Sequence, residues 1–253
     1  MYNIISWNVN GFRSVLRKGY LDNIWKSDYD FICFQEVKLS DVLILEEEVP
    51  KEYFIYSNIS SNKGRNGVVV LSKKKAQKVT NILGDERFDK EGRYLELDYE
   101  QFILINLYMP HGKRDKSDIP YKLSVGQLLL DRLKKMENQN LILATDFNIA
   151  RDINDVSRAS SNMSNTMFTS KERELVKQLC LCGFYDVFRE KYPDKIEYTW
   201  WTYAFNAREK NMGWRIDYFF VSLNILNQIR DIKILNNQYG SDHCPIEIQI
   251  EEK

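Results

Sequence analysis

Apolar residues recur along the chain in short, β-branched runs. "NIISWNV" (3–9), "DFICFQE" (30–36), "GVVVLSK" (67–73), "YLELDY" (94–99), "FILINLYM" (102–109), "LILATDF" (141–147), "RIDYFFVS" (215–222) and "IEIQI" (246–250) read as strands. Runs that are apolar throughout suit a sheet covered on both faces. "YLELDY" and "IEIQI" alternate and suit half-exposed positions. Helical spacing fills the gaps. Leu21, Ile24 and Trp25 share one face, and Leu129, Leu133 and Met136 share another. "TSKERELVKQLCLCG" opens with Thr169 and Glu172 in capping-box spacing, sets Leu175 over Leu179 and stops at Gly183. Strands and helices mix along the whole length with no linker between them. The pattern predicts one layered α/β or α+β domain over residues 1–253.

Composition narrows this only a little. With 253 residues, 43% hydrophobic and 28% charged, the chain has enough apolar material for a core without disulfides. No apolar run approaches ~18 residues, so no membrane span is expected. The start, "MYNIISWNVNG", lacks a basic region and a long apolar stretch, so an intracellular protein is expected. Cys33, Cys180, Cys182 and Cys244 show no C-x-x-C spacing; free thiols and no zinc site are expected. The 36 basic and 36 acidic residues cancel, which argues against attachment to nucleic acid by bulk charge. A balanced total is compatible with a local basic patch facing phosphates while acids gather elsewhere.

Polar residues gather at strand ends. Asn8 and Asn10 end the first run, Gln35 and Glu36 the second. Asn106 and Tyr108 come late in "FILINLYM", and Asp146 and Asn148 close "LILATDFN". Asp217 interrupts "RIDYFFV", and Asp242 and His243 open the last strand. An amide or carboxylate in an apolar run costs about 2 kcal/mol or more unless paired. Six strands with this habit at one end point to a shared site at a sheet edge. Asn8-x-Asn10 and Asp146-x-Asn148 repeat one local pattern, which matters if the two strand ends meet. The inventory is carboxylates, amides, a tyrosine and a histidine. Hard oxygen ligands without soft ones suit Mg2+ or Mn2+, and with an acid/base histidine they suit phosphate-ester hydrolysis.

The motifs "ISWNVNGFRS", "FICFQEVK", "EGRYLELD", "NLYMPHG", "TDFNIA", "YTWWTY…NMGWRIDYFFVS" and "GSDHCPI", taken in order, resemble those of the exonuclease III family of apurinic/apyrimidinic endonucleases. That family belongs to the endonuclease/exonuclease/phosphatase superfamily. The resemblance runs from Ile5 to Ile248. It implies a four-layered α/β sandwich of two packed mixed sheets flanked by helices, like deoxyribonuclease I. It also implies Mg2+-dependent incision of duplex DNA 5′ to abasic sites, with 3′-phosphodiesterase or 3′→5′ exonuclease activity, and action as a monomer.

The roles it implies are these. Glu36 holds the metal, with Asn10 and Asp242 nearby. Asp146 orients or deprotonates the attacking water, with Asn8 and Asn148 as amide donors. Tyr108 donates to a phosphate oxygen or the leaving group. His243 contacts the phosphate, and Asp217 accepts from its other ring nitrogen. Arg13, Lys38, Arg65, Arg114 and Arg158 fall in expected loops and are candidates for phosphate contacts. Asn162 and Asn165 match phosphate-binding asparagines, and Trp200, Trp214 and Ile216 match the walls of a pocket for a flipped abasic sugar. Four positions depart from the family pattern. His111 replaces an amide expected to face DNA, Thr145 a glycine, and Arg151 a histidine. Ala204 stands where some relatives carry a wedge residue. The rival readings are a nuclease for another lesion or of no lesion preference, a DNA-binding protein with reduced catalysis, and an inositol-phosphate or lipid phosphatase. The long "YTWWTY…GWRIDYF" block argues against the last.

Overall fold

The computed structural model describes residues 1–252. The first half of the chain forms β1 (Tyr2–Asn8), α1 (Phe12–Arg17), α2 (Asp22–Lys26), β2 (Phe31–Gln35), α3 (Leu43–Glu48), β3 (Phe54–Asn58), β4 (Val68–Ser72), β5 (Lys78–Thr80), α4 (Glu86–Lys90), β6 (Tyr94–Asp98) and β7 (Ile103–Tyr108). The second half adds α5 (Ile119–Lys134), β8 (Leu141–Asp146), α6 (Ala159–Asn162), α7 (Ser170–Leu181), β9 (Phe184–Asp186), α8 (Val187–Lys191), β10 (Asp217–Ser222), α9 (Leu223–Leu226), β11 (Ile229–Ile234) and β12 (Ile246–Ile250).

The strands make two 6-stranded sheets, in the orders β11-β12-β1-β2-β4-β3 and β5-β6-β7-β8-β10-β9. Both are mixed: β1–β2 and β7–β8 pair in parallel and their neighbours antiparallel. The sheets pack face to face through Ile4, Phe31, Val70, Leu104, Ile142 and Phe219. The outer face of the first sheet packs Ile5, Trp7 and Phe34 against Phe12, Val15, Ile24 and Leu45 of α1, α2 and α3. The outer face of the second packs Ile105, Leu143 and Phe220 against α5 and α7. This is the four-layered α/β sandwich that the resemblance implied.

All eight expected strands form. The four that the pattern missed, β3, β5, β9 and β11, are the sheet edges. An edge strand meets water along one side, so its residues need not be apolar. Two readings change. "YLELD" is not half-exposed: Glu96 is buried and accepts from Arg132 and from the Tyr94 hydroxyl, so its polarity marks an ion pair. Arg13 lies on α1 and not in a loop.

The capping box at α7 forms with Thr169 and Glu172 in reciprocal bonds. Gly183 follows at φ +89°, a conformation that favours glycine. Leu129 and Leu133 line the buried face of α5, and Met136 is buried just past its end. α5 and α7 touch at Gly126, where an added Cβ would lie 2.3 Å from Leu175 Cδ2.

Candidate active site

Strand alternation places the polar residues. In β1, β2, β7 and β8 the side chains facing the other sheet run from Ile4 to Asn8, Phe31 to Gln35, Leu104 to Tyr108 and Ile142 to Asp146. Each row is apolar deep in the sandwich and polar at one end. Register brings those ends together: Asn8 lies beside Gln35, Tyr108 beside Asp146, and Asp146 beside Asp217. Below them Gln35 Nε2 donates to Ser6 Oγ at 2.9 Å and to Asn106 Oδ1 at 2.8 Å. Asn106 Nδ2 donates to the carbonyls of Phe34 and Val69. This buried network ties the two sheets together just under the site.

Thr145 belongs to the other face. Alternation turns it away from Asp146, and its buried hydroxyl has no hydrogen-bond partner. The departure from glycine therefore does not crowd the site.

The repeated polar-x-Asn units do meet. Asn8 Nδ2 donates to Asp146 Oδ2 at 2.8 Å. In each unit the first side chain accepts from the backbone of the second: Asn10 N donates to Asn8 Oδ1, and Asn148 N to Asp146 Oδ1, both at 2.9 Å. Asn10 and Asn148 have φ of 45° and 52°, and Glu36 and Lys38 lie at 53° and 52°. Left-handed backbone at non-glycine residues costs about 1 kcal/mol each and concentrates at functional sites. Both amides are already engaged. Asn8 Nδ2 also donates to Glu36 Oε2 at 3.1 Å, and Asn148 Nδ2 donates to Met109 O and Asp146 Oδ2. They hold the carboxylates here, where the resemblance made them donors to the attacking water or a phosphoryl oxygen.

His243 Nδ1 sits 2.9 Å from Asp217 Oδ2, while Nε2 is 3.8 Å from Asp146 Oδ2, too far for a hydrogen bond. Thr199 sets this geometry: its hydroxyl accepts from the backbone N–H of Ile216 and Asp217. Burial opposes charge on His243, but the Asp217 and Asp146 carboxylates overcome it and push the pKa up to about 10. The ring is then a cation with Nε2–H available. Burial drives Asp146 up to about 7, with His243 pulling the other way and Asp217 adding to the rise. Tyr108 is pushed up by burial and by the Glu36 charge, so it stays a phenol at neutral pH.

Two groups of ligands offer themselves to a metal. Asp146, Asp217 and His243 lie close enough to share an ion. A protonated His243 has no lone pair to give, however, so that group is a poor seat. Glu36, Asn10 and Asp242 offer oxygens alone. The Lys38 ammonium lies 3.0 Å from Glu36 Oε1 and also donates to Asn10 Oδ1. The Glu36 and Asn10 oxygens therefore already converge on a cation, which fits a hard divalent ion. Asp242 accepts from Asn10 Nδ2 at 2.8 Å and from Trp200 Nε1 at 3.0 Å.

The remaining candidates differ in exposure and in what they touch. Trp200 is half-buried, with its ring centroid 6.3 Å from Trp214 and 6.5 Å from His243. Trp214 and Ile216 are packed with Phe168 and Met167, and Ile216 is only 1% exposed. Arg13, Arg65, His111, Arg114, Arg158 and Asn165 are exposed, and Arg13 pairs with Asp41. Asn162 Nδ2 donates to Ser157 O and Arg158 O, and Asn165 donates to Asn162 Oδ1. Desolvation of the ring, and after it the Lys122 ammonium, hold the His111 pKa below its usual value. Arg151 turns to Asp152 and Asp186. Ala204 is exposed, and its turn presents Tyr203 and Phe205, 72% and 80% exposed. Those aromatics escaped the sequence reading, as did the fully buried Lys122. Its ammonium bonds Glu172 Oε1 at 2.7 Å and Asn148 O at 2.6 Å. An exposed aromatic in an aromatic-rich block, and a lysine in a helix, carry no distinctive signal.

A sheet-edge centre of carboxylates, amides and a histidine on this sandwich has known counterparts. The chain belongs to the endonuclease/exonuclease/phosphatase family, whose model matches residues 5–243. It is 38% identical to an exodeoxyribonuclease of Bacillus subtilis over 250 residues, 98% of each chain. It is also 38% identical to the DNA repair nuclease APEX1 of Danio rerio, over 96% of this chain and 80% of that one. An AP endonuclease of Archaeoglobus fulgidus superposes with a TM-score of 0.87 at 25% identity, with both chains fully covered. Within the family this chain is therefore an enzyme, a nuclease of the exodeoxyribonuclease and AP endonuclease group.

Proposed function

We propose that the protein hydrolyses the phosphodiester 5′ to abasic sites in duplex DNA, with Mg2+ as cofactor and Mn2+ able to replace it. At blocked 3′ ends it acts as a 3′-phosphodiesterase and 3′→5′ exonuclease. It works as a monomer on intracellular DNA. Trp200 carries this reading. It joins an aromatic wall to the catalytic centre, with its indole N–H on Asp242 and its ring between Trp214 and His243. A sugar without a base fits against such a wall while its phosphate faces His243, and extruding it costs less because no base stacking is lost.

His243, held by Asp217, donates from Nε2 to a phosphate oxygen. Asp146, once ionised, takes the proton of the attacking water, with Asn8 and Asn148 fixing its carboxylate. Tyr108 gives its proton to the leaving 3′ oxygen. Glu36, with Asn10 and Asp242, holds the metal, which when bound neutralises charge gathering on the phosphate. Arg13, Lys38, Arg65, His111, Arg114, Arg158, Asn162 and Asn165 meet flanking phosphates. Trp200 offers the open face of the sugar wall, backed by Trp214 and Ile216. Phe205, next to the small Ala204, stacks on the duplex.

One assay tests this: labelled duplexes with an abasic analogue, deoxyuridine or only normal bases, each with Mg2+ or EDTA. Incision 5′ to the abasic analogue, and only with metal, is the expected result. Preferred incision at deoxyuridine would favour a nuclease for another lesion. No cleavage of any duplex with metal would refute the proposal.

A further inference from the structure

The "EGRY" segment (91–94) delivers a buried cation that the roles above leave unexplained. Arg93 is 8% exposed, and its guanidinium carbon lies 4.4 Å from the centre of the Tyr108 ring. Every nitrogen of the fork has a partner. Nε donates to Glu91, Nη1 to Tyr108 O at 3.3 Å and Nη2 to Asn66 Oδ1 at 3.0 Å. The Tyr108 backbone N–H donates in turn to Arg93 O at 2.9 Å. Gly92 makes the approach possible. Its φ is +64°, and a Cβ there would lie 2.6 Å from the carbonyl carbon of Ile59. Burying a guanidinium is costly unless it is paired, and this one is held against the Tyr108 ring by a full set of partners.

We propose that Arg93 is a positioning residue that fixes Tyr108 for proton donation and stabilises the phenolate left behind. This rests on the role given to Tyr108 above. In that step water oxygen bonds to phosphorus and its proton passes to Asp146. The bond to the 3′ oxygen breaks, its electron pair stays on that oxygen, and the Tyr108 proton joins it. A negative charge then rests on the phenol ring, facing a guanidinium that attracts it.

The test varies the leaving group. Single-turnover incision is measured for the full chain and for Arg93→Met, Arg93→Lys and Tyr108→Phe, with Mn2+. Substrates carry either the natural 3′ oxygen or a 3′ sulfur at the scissile phosphate. Thiolate leaves without a proton, so it does not need the phenol. Arg93→Met should lose about ten- to hundredfold in rate on the oxygen substrate, with KM within about twofold. The loss should largely vanish on the sulfur substrate. Arg93→Lys, which keeps the charge without the fork, should show the same selectivity with a smaller loss. An equal loss on both substrates, or none on either, would overturn the proposal. If sulfur rescues Tyr108→Phe but not Arg93→Met, only the Arg93 proposal fails. If sulfur does not rescue Tyr108→Phe, the role of Tyr108 itself falls.

Discussion

At the scale of the residue, burial and neighbouring charge together decide the protonation states. Asp146 is 1% exposed with a pKa raised to about 7, and the neighbouring carboxylates raise His243 to about 10. A base with a raised pKa works only after it has lost its proton. Single-turnover incision should therefore rise as pH passes about 7 and fall as His243 deprotonates near 10. A rate–pH profile flat from pH 6 to 9 would contradict this. The same shift bears on stability. A carboxyl whose folded pKa is raised contributes stability below its unfolded pKa, and that contribution is lost as pH rises through about 7. Asp146→Asn should thus cut turnover by about 100-fold or more, while the melting temperature at pH 8 holds or rises. A clear drop in melting temperature would mean that the ionised carboxylate supports the fold. Asn8, Glu36, Asp146, Asp217 and His243 could all be named from sequence, because a polar residue in an apolar run is conspicuous. Arg93 and Lys122 could not, because arginine and lysine are usually solvated, and only burial marks these two as unusual.

At the scale of the element, α7 connects fold and site. Glu172 caps its first turn and also neutralises the buried Lys122, which grips the carbonyl of Asn148. Glu172→Gln leaves that ammonium without a counter-charge, a loss of about 3–5 kcal/mol. For a domain of this size that is a fall of roughly 10 °C in melting temperature, measurable by calorimetry. Gly126→Ala should also destabilise, by about 1–3 kcal/mol, because Leu175 fills the space a methyl group would need. A stabilised Gly126→Ala would show that helix propensity outweighs the clash. The turn at 204–206 makes the opposite case. Phe205 lies at φ 65° and is 80% exposed, so it supports little of the fold. Phe205→Ala should weaken binding of abasic duplex about tenfold with melting temperature unchanged. Unchanged affinity would remove this turn from the DNA surface. The capping box was readable from four residues because it is local. The edge strands β3, β5, β9 and β11 were not, because only their neighbours make them strands.

At the scale of the whole molecule, attraction to DNA must be local. The chain has no net charge, so under the proposed function phosphate contacts fall to individual basic side chains. Each side chain among Arg13, Lys38, Arg65, Arg114 and Arg158 that meets a phosphate should add about 0.9 to the slope of log affinity against log salt. Neutralising one should lower the slope by that amount, and an unchanged slope would place that side chain off the DNA. The sequence by itself determined the alternation of apolar and polar positions, the capped α7 and the set of groups able to handle a phosphate. These are local properties, set by neighbours a few residues apart. Tertiary structure decided which groups meet. It laid two polar-x-Asn strand ends against each other across two sheets and turned Thr145 to the far face. It also stacked Arg93 under Tyr108 and raised the pKa of Asp146 by excluding water. Those outcomes depend on distance and burial between segments far apart in the chain, which no local pattern encodes.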